Sequence, residues 1–131
     1  MAPITVKIAG QKFRLAFTMD GLGMMQETVK DFNLGRLTEL GRSPSALVSM
    51  LYVLAQQGEA LEGRTLKQNR DWFGCHLSPS PKEAVRIQTA VFEALAQGLN
   101  METEAEDDQE EVDEALEEIK KNGGKAASPG A

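Results

Sequence analysis

Ile4-Thr-Val-Lys-Ile8-Ala-Gly10-Gln-Lys-Phe13-Arg-Leu15-Ala-Phe17 is the stretch whose reading decides the fold. Ile4, Val6 and Ile8 alternate with Thr5 and Lys7, and Phe13, Leu15 and Phe17 alternate with Lys12 and Arg14. A period of two sends one set of side chains to one face of a strand, so the stretch predicts two half-buried strands. Gly10-Gln11 between them suits a two-residue turn with glycine at its first central position, which makes the pair a hairpin. Isolated hairpins are not stable in water, so the apolar face needs cover.

The rest of the chain reads as helices that supply it. Thr18 is placed to cap a helix whose apolar positions Leu22, Met25, Val29 and Phe32 fall on one face. Gly21 and Gly23 each weaken that helix by about 1 kcal/mol against alanine, and their bareness suits a close approach to the hairpin. A short helical turn is expected from Leu34 to Leu40, with Leu37 and Leu40 inward. Ser43-Pro44 is a strong start signal, a capping serine followed by proline at the first helical position. The helix it opens runs through Ala46, Leu47, Met50, Leu51, Tyr52, Val53 and Leu54 to about Gln57, with Gly58 as its stop. Apolar nearly all round, it should be the buried centre. Thr65 is expected to cap a short helix through Trp72 and Phe73. Ser80-Pro81 repeats the Ser-Pro start and opens a helix to Gln97, stopped by Gly98. Its polar stripe of Lys82, Arg86, Thr89, Glu93 and Gln97 lies opposite Ala84, Ile87, Val91 and Leu95.

Charge divides the chain at Met101. Residues 1–101 hold eleven Lys/Arg against nine Asp/Glu, a net of +2, whereas residues 102–131 hold three Lys against eleven acids, a net of −8. The overall −6 is therefore a property of the tail. Glu102-Thr-Glu-Ala-Glu-Asp-Asp-Gln-Glu-Glu111 is too charged to bury anything and is expected to be disordered. Val112, Ala115, Leu116 and Ile119 then recur at helical spacing. The expected organisation is a compact α+β body at 1–101, a two-stranded hairpin on about five helices. A mostly disordered acidic tail comes next at 102–131, with a short helix at 109–121. The tail is expected to add little to the stability of the body.

Several chemistries are disfavoured by the residues. One cysteine, Cys75, cannot build a disulfide framework and fits a reducing compartment. No run approaches the ~20 apolar residues of a membrane span. The opening residues carry no basic start or hydrophobic signal run, so a soluble, intracellular protein is expected. Dispersed positive charge and an anionic tail argue against nucleic acid. Gly58-Glu-Ala-Leu-Glu-Gly63-Arg64-Thr65 has phosphate-loop spacing, with arginine in place of lysine. It comes after a helix rather than a strand, however, and Glu59 and Glu62 would repel a nucleotide. Gly21-Leu-Gly23 hints at a dinucleotide fingerprint but has Gln26 at the third glycine position. His76, the sole histidine, adjoins Cys75; adjacent residues rarely face each other as a nucleophilic pair, and the two fall short of a four-ligand zinc site. Tail carboxylates lack the glycine-punctuated loop of a calcium site. Met24, Met25 and Met50 read as core filling. The expectation is no catalytic, cofactor-binding or metal-binding residues, no cofactor and no enzyme.

The order of elements carries a resemblance. Arg14-Leu-Ala-Phe-Thr-Met-Asp20-Gly-Leu-Gly-Met-Met-Gln-Glu27 is succeeded by Leu37 and Leu40, then by Pro44-Ser-Ala-Leu-Val-Ser-Met-Leu-Tyr-Val-Leu-Ala55. Across about residues 4–100 this pattern resembles the tail assembly chaperones of long-tailed bacteriophages and related prophages. It departs from them at Gly21 and Gly23, where relatives more often carry helix formers. The resemblance implies a non-catalytic protein of the host cell cytoplasm, absent from the finished virion. Its implied partners are the tape measure protein and the tail tube protein, with no nucleic acid, no membrane and room for a homo-oligomer. It also implies a longer product made by ribosomal frameshifting. Gly123-Gly124-Lys125 can be encoded by a G-GGA-AAG run, and Lys120-Lys121-Asn122 by an A-AAA-AAC run. The competing readings are a structural tail or head-tail component kept in the particle, and a small acidic adaptor.

Overall fold

The computed structural model of the chain describes residues 2–101 and residue 119. The fold is α+β, as expected. A hairpin of β1 (Ile4–Ile8) and β2 (Gln11–Leu15) precedes α1 (Met19–Thr28), a 3-10 turn (Leu34–Arg36), α2 (Leu37–Arg42), α3 (Pro44–Leu61), α4 (Arg70–Cys75) and α5 (Pro81–Met101). Ile4 pairs with Leu15, Val6 with Phe13 and Ile8 with Gln11. The turn is therefore Ala9-Gly10, not Gly10-Gln11. Both residues have positive φ, 51° and 79°, the primed turn whose twist matches that of the strands. β2 ends at Leu15, short of Phe17, and the Ala16 N–H donates to the Leu54 carbonyl at 3.1 Å.

α3 is the centre. Met50, Leu51, Leu54 and Ala55 are fully buried, and the helix touches β2 and each of the other four helices. α5 packs against β1, with Ile87, Val91 and Leu95 in the core. The cover of the hairpin is thus α3 and α5, while α1 packs on α3. Thr18 links α1 to α3: its Oγ1 accepts from the Gly21 N–H at 3.1 Å and donates to Gln57 Oε1 at 2.6 Å. A Cβ at Gly21 would lie 3.2 Å from Gln57 Cγ, so the close approach of this glycine is to α3 rather than to the hairpin.

The helix starts fall where the serine and proline signals put them. Ser43 Oγ accepts from the Ala46 N–H at 3.3 Å, and Ser80 Oγ from the Glu83 N–H at 3.2 Å. The expected stops do not. α3 continues through Gly58 to Leu61, because a Cβ at 58 would lie 1.9 Å from the Arg14 carbonyl oxygen. Gly58 lets β2 lie directly on the helix. The true terminator is Gly63, at φ +74°. The Gly63 N–H donates to the Ala60 carbonyl and the Arg64 N–H to the Glu59 carbonyl, the paired bonds of a glycine-ended helix. α5 likewise passes through Gly98, where a Cβ would meet the Phe17 carbonyl oxygen at 2.5 Å. α4 is capped by Asn69, whose Oδ1 accepts from the Trp72 N–H at 2.9 Å, and not by Thr65. The segment expected to be short and helical at 34–40 is so, with Leu34, Leu37 and Leu40 buried.

Position 119 is helical, within the helix expected at 109–121, and Ile119 is 7% exposed as part of the same core. The remaining tail positions, including Val112, Ala115, Leu116 and residues 120–125, lie outside the described residues.

Candidate partner-binding cleft

Two Ser-Pro starts open on one another. Ser43-Pro44 begins α3, Ser80-Pro81 begins α5, and the end of α4 with the loop Leu77–Pro79 runs between them. The result is an open cleft of about 220 Å³. Leu47 and Val48 of α3 and Ala84 and Ile87 of α5 line it, together with Leu77, Pro79 and Arg42.

The walls are held by polar side chains whose bonds leave the apolar ones facing the opening. Arg70 of α4 donates through Nε to Ser49 Oγ at 2.9 Å and through Nη2 to the Ser45 carbonyl at 3.1 Å, which satisfies the buried Ser49 and fixes α4 on α3. Gln88 Nε2 donates to the Gly41 carbonyl at 2.6 Å and ties α5 to the end of α2. Arg86 donates to the Lys7 carbonyl at 2.8 Å and to Glu83 Oε1 at 2.7 Å. The bond from Arg86 lowers the Glu83 carboxyl from its ordinary value. Phe13, Trp72 and Phe73 meet edge to face, with ring centroids 5.1–5.6 Å apart. Such pairs add about 0.5–1.5 kcal/mol each beyond their buried area and anchor the six-residue α4.

A second, wider cleft of about 580 Å³ lies between the start of β2 and the extended segment 64–68. Polar side chains line it beside Phe13 and Leu66, with Lys12 and Lys67 next to the Arg64–Glu59 pair. Arg64 donates to both Glu59 oxygens, at 2.9 and 3.2 Å, and the bond lowers the Glu59 carboxyl from its ordinary value.

The residues weighed for chemistry are accounted for by structure. His76 ends α4: its ring stacks on Trp72 at 4.3 Å, and Nδ1 lies 2.7 Å from the Trp72 carbonyl. A carbonyl only accepts, so Nδ1 carries the proton and the ring serves as a cap. Cys75 is exposed at the end of the same helix. The phosphate-loop-like segment is the last turn of α3 and its glycine terminator, with Arg64 held by Glu59. Gly21 and Gly23 sit inside α1. Met25 and Met50 are fully buried, and Met24 packs against the core while its sulfur accepts from Gln57 Nε2 at 3.4 Å. Among the described residues no three His, Cys, Asp or Glu side chains gather into a metal-binding group, and no helix is long and apolar enough to cross a membrane.

The helices that form the cleft were legible in the sequence, but the cleft was not. Leu77, Ser78 and Pro79 carry no periodic pattern, and their place against Leu47 and Ala84 is set by long-range packing. The one local signal was the repeated Ser-Pro pair, which marks the two helix starts at the opening. Comparison with protein-family models, with curated proteins and with solved structures gives no match.

Proposed function

We propose that this chain is a non-catalytic phage tail assembly chaperone that holds amphipathic helices of the tape measure protein, with tail tube subunits as a second partner, in the host cytoplasm. The observation that carries this reading is the apolar cleft between α3, α4 and α5. At about 220 Å³ it falls below the ~300–1,000 Å³ of sites that enclose small molecules. It is suited to anchor side chains, which helical ligands present at i, i+3, i+4 and i+7. The order of hairpin, Thr-capped helix, short Leu-x-x-Leu helix and Ser-Pro-led central helix, on which the resemblance rests, supports the same reading.

Apolar capture supplies affinity, and the eleven carboxylates of residues 102–118 attract basic segments and keep the complex dispersed through charge repulsion. Titration with synthetic helical segments of a phage tape measure protein tests the site. Ala84→Glu, on the half-buried cleft wall, should weaken binding roughly tenfold or more by leaving a carboxylate against the apolar anchor. Lys82→Glu, on the exposed outer stripe of α5, should change affinity less than about threefold. Equal affinity for Ala84→Glu and the unmodified chain would remove the cleft as the binding site.

A further inference from the structure

The two edges of the hairpin are not covered alike. Across its turn Ile8 pairs with Gln11 and Lys7 with Lys12. In an antiparallel pair the amides and carbonyls of alternate residues point away from the partner strand. On β1 one such outward carbonyl, that of Lys7, accepts a hydrogen bond from Arg86 of α5 at 2.8 Å. On β2 the outward carbonyl of Arg14 lies against Gly58 of α3. Lys12, two residues earlier, turns its amide and carbonyl the same way, and no described residue bonds them. Lys12 also lines the cleft of about 580 Å³ between β2 and the segment 64–68. An open strand edge of this kind is a template for an extended peptide, which joins it as an added strand.

Charge selects among such peptides. The lining of this cleft carries Lys12, Arg64 and Lys67 against one carboxylate, Glu59, which Arg64 engages through both oxygens. Lys12 stands directly opposite Lys7, a like-charge pair that repels across the strands. Among the described residues no carboxylate lies within ion-pair distance of Lys7, Lys12 or Lys67. Gln68 Nε2 donates to Gln11 Oε1 at 2.9 Å, which ties the segment 64–68 to the start of β2. We propose that the wide cleft binds an extended acidic peptide of a partner protein: the peptide adds a strand beside Lys12, and its carboxylates meet Lys12 and Lys67. Main-chain hydrogen bonds supply the fit, and the lysines supply the selectivity. None of these residues lines the apolar cleft, so the inference stands apart from the partner proposed for that cleft.

The test titrates the full-length chain, at physiological ionic strength, with a capped and labelled octapeptide in which glutamate alternates with threonine. Binding should saturate, and Lys12→Gln combined with Lys67→Gln should weaken it at least about threefold. Both lysines are exposed, so the double variant should fold as the unmodified chain does. Lys30→Gln combined with Lys82→Gln removes the same charge from exposed positions outside the cleft and should leave the affinity unchanged. A fully N-methylated form of the peptide keeps its carboxylates but loses its main-chain donors, and should bind at least about threefold more weakly. No binding to the full-length chain, or equal binding of the N-methylated peptide, would overturn the proposal. So would equal affinities for the unmodified chain and the Lys12/Lys67 variant, or equal losses in the two double variants, which would be attraction to net charge only. A concentration-dependent dimer lost in the Lys12/Lys67 variant would make the occupant a second copy of this chain and overturn the proposal of a separate partner.

Discussion

Gly58 and Gly23 separate two effects that alanine substitution usually mixes. Both sit in helices, where alanine is normally favoured over glycine by about 1 kcal/mol. At Gly23 a Cβ meets nothing within 4 Å, so Gly23→Ala should raise stability by about 0.5–1 kcal/mol. At Gly58 the Cβ would lie 1.9 Å from the Arg14 carbonyl oxygen, and backbone cannot rotate aside. The clash wins, and Gly58→Ala should cost about 3 kcal/mol or more. Urea denaturation of the two variants reads both signs. The arginine-bonded carboxylates set a pH response as well. Glu59 and Glu83 have folded values below their unfolded ones because Arg64 and Arg86 bond the ionised forms. Their contribution is present at neutral pH and is lost as pH falls through and below the glutamate range. Arg86→Gln should flatten that acid limb of the stability profile.

At the scale of elements, three helix starts were legible, the start of α4 was not, and the glycine stops were misplaced. A helix start is a local event in which one side chain bonds an amide two or three residues ahead, so Thr18, Ser43 and Ser80 could be identified without knowledge of the fold. Ser43→Ala and Ser80→Ala should each cost about 1 kcal/mol, measured by thermal unfolding. Gly58 and Gly98 looked like stops because glycine favours helix ends. Both are in fact places where another segment crosses the helix, and no local pattern distinguishes the two uses. The turn slipped by one residue for a similar reason: a single glycine fits either primed turn, and the pairing of Ile8 with Gln11 decides between them. Asn69 prevailed over Thr65 as the α4 cap because Trp72 and Phe73 must reach Phe13, a contact across 59 and 60 positions of chain. The cleft depends on long-range packing of α3, α4 and α5 and was not legible in the sequence.

The whole molecule joins a near-neutral body to a strongly acidic segment, and Ile119 of that segment is buried in the core of the body. Composition alone predicts that loss of residues 102–131 leaves stability unchanged. Burial of Ile119 alters that expectation, since a buried isoleucine contributes about 1.5–3 kcal/mol. The chain shortened to residues 1–101 should therefore melt several degrees lower, at about 2–8 °C per kcal/mol for domains of this size. The central claim, that this protein holds a long helical partner until the partner is used, is tested most directly by solubility. A phage tape measure protein should be expressed alone, with this chain, and with Ala84→Glu, and the soluble fraction measured in each case. The account predicts a partner that aggregates alone, remains soluble with the unmodified chain and largely aggregates with Ala84→Glu. A partner equally soluble in all three would contradict it.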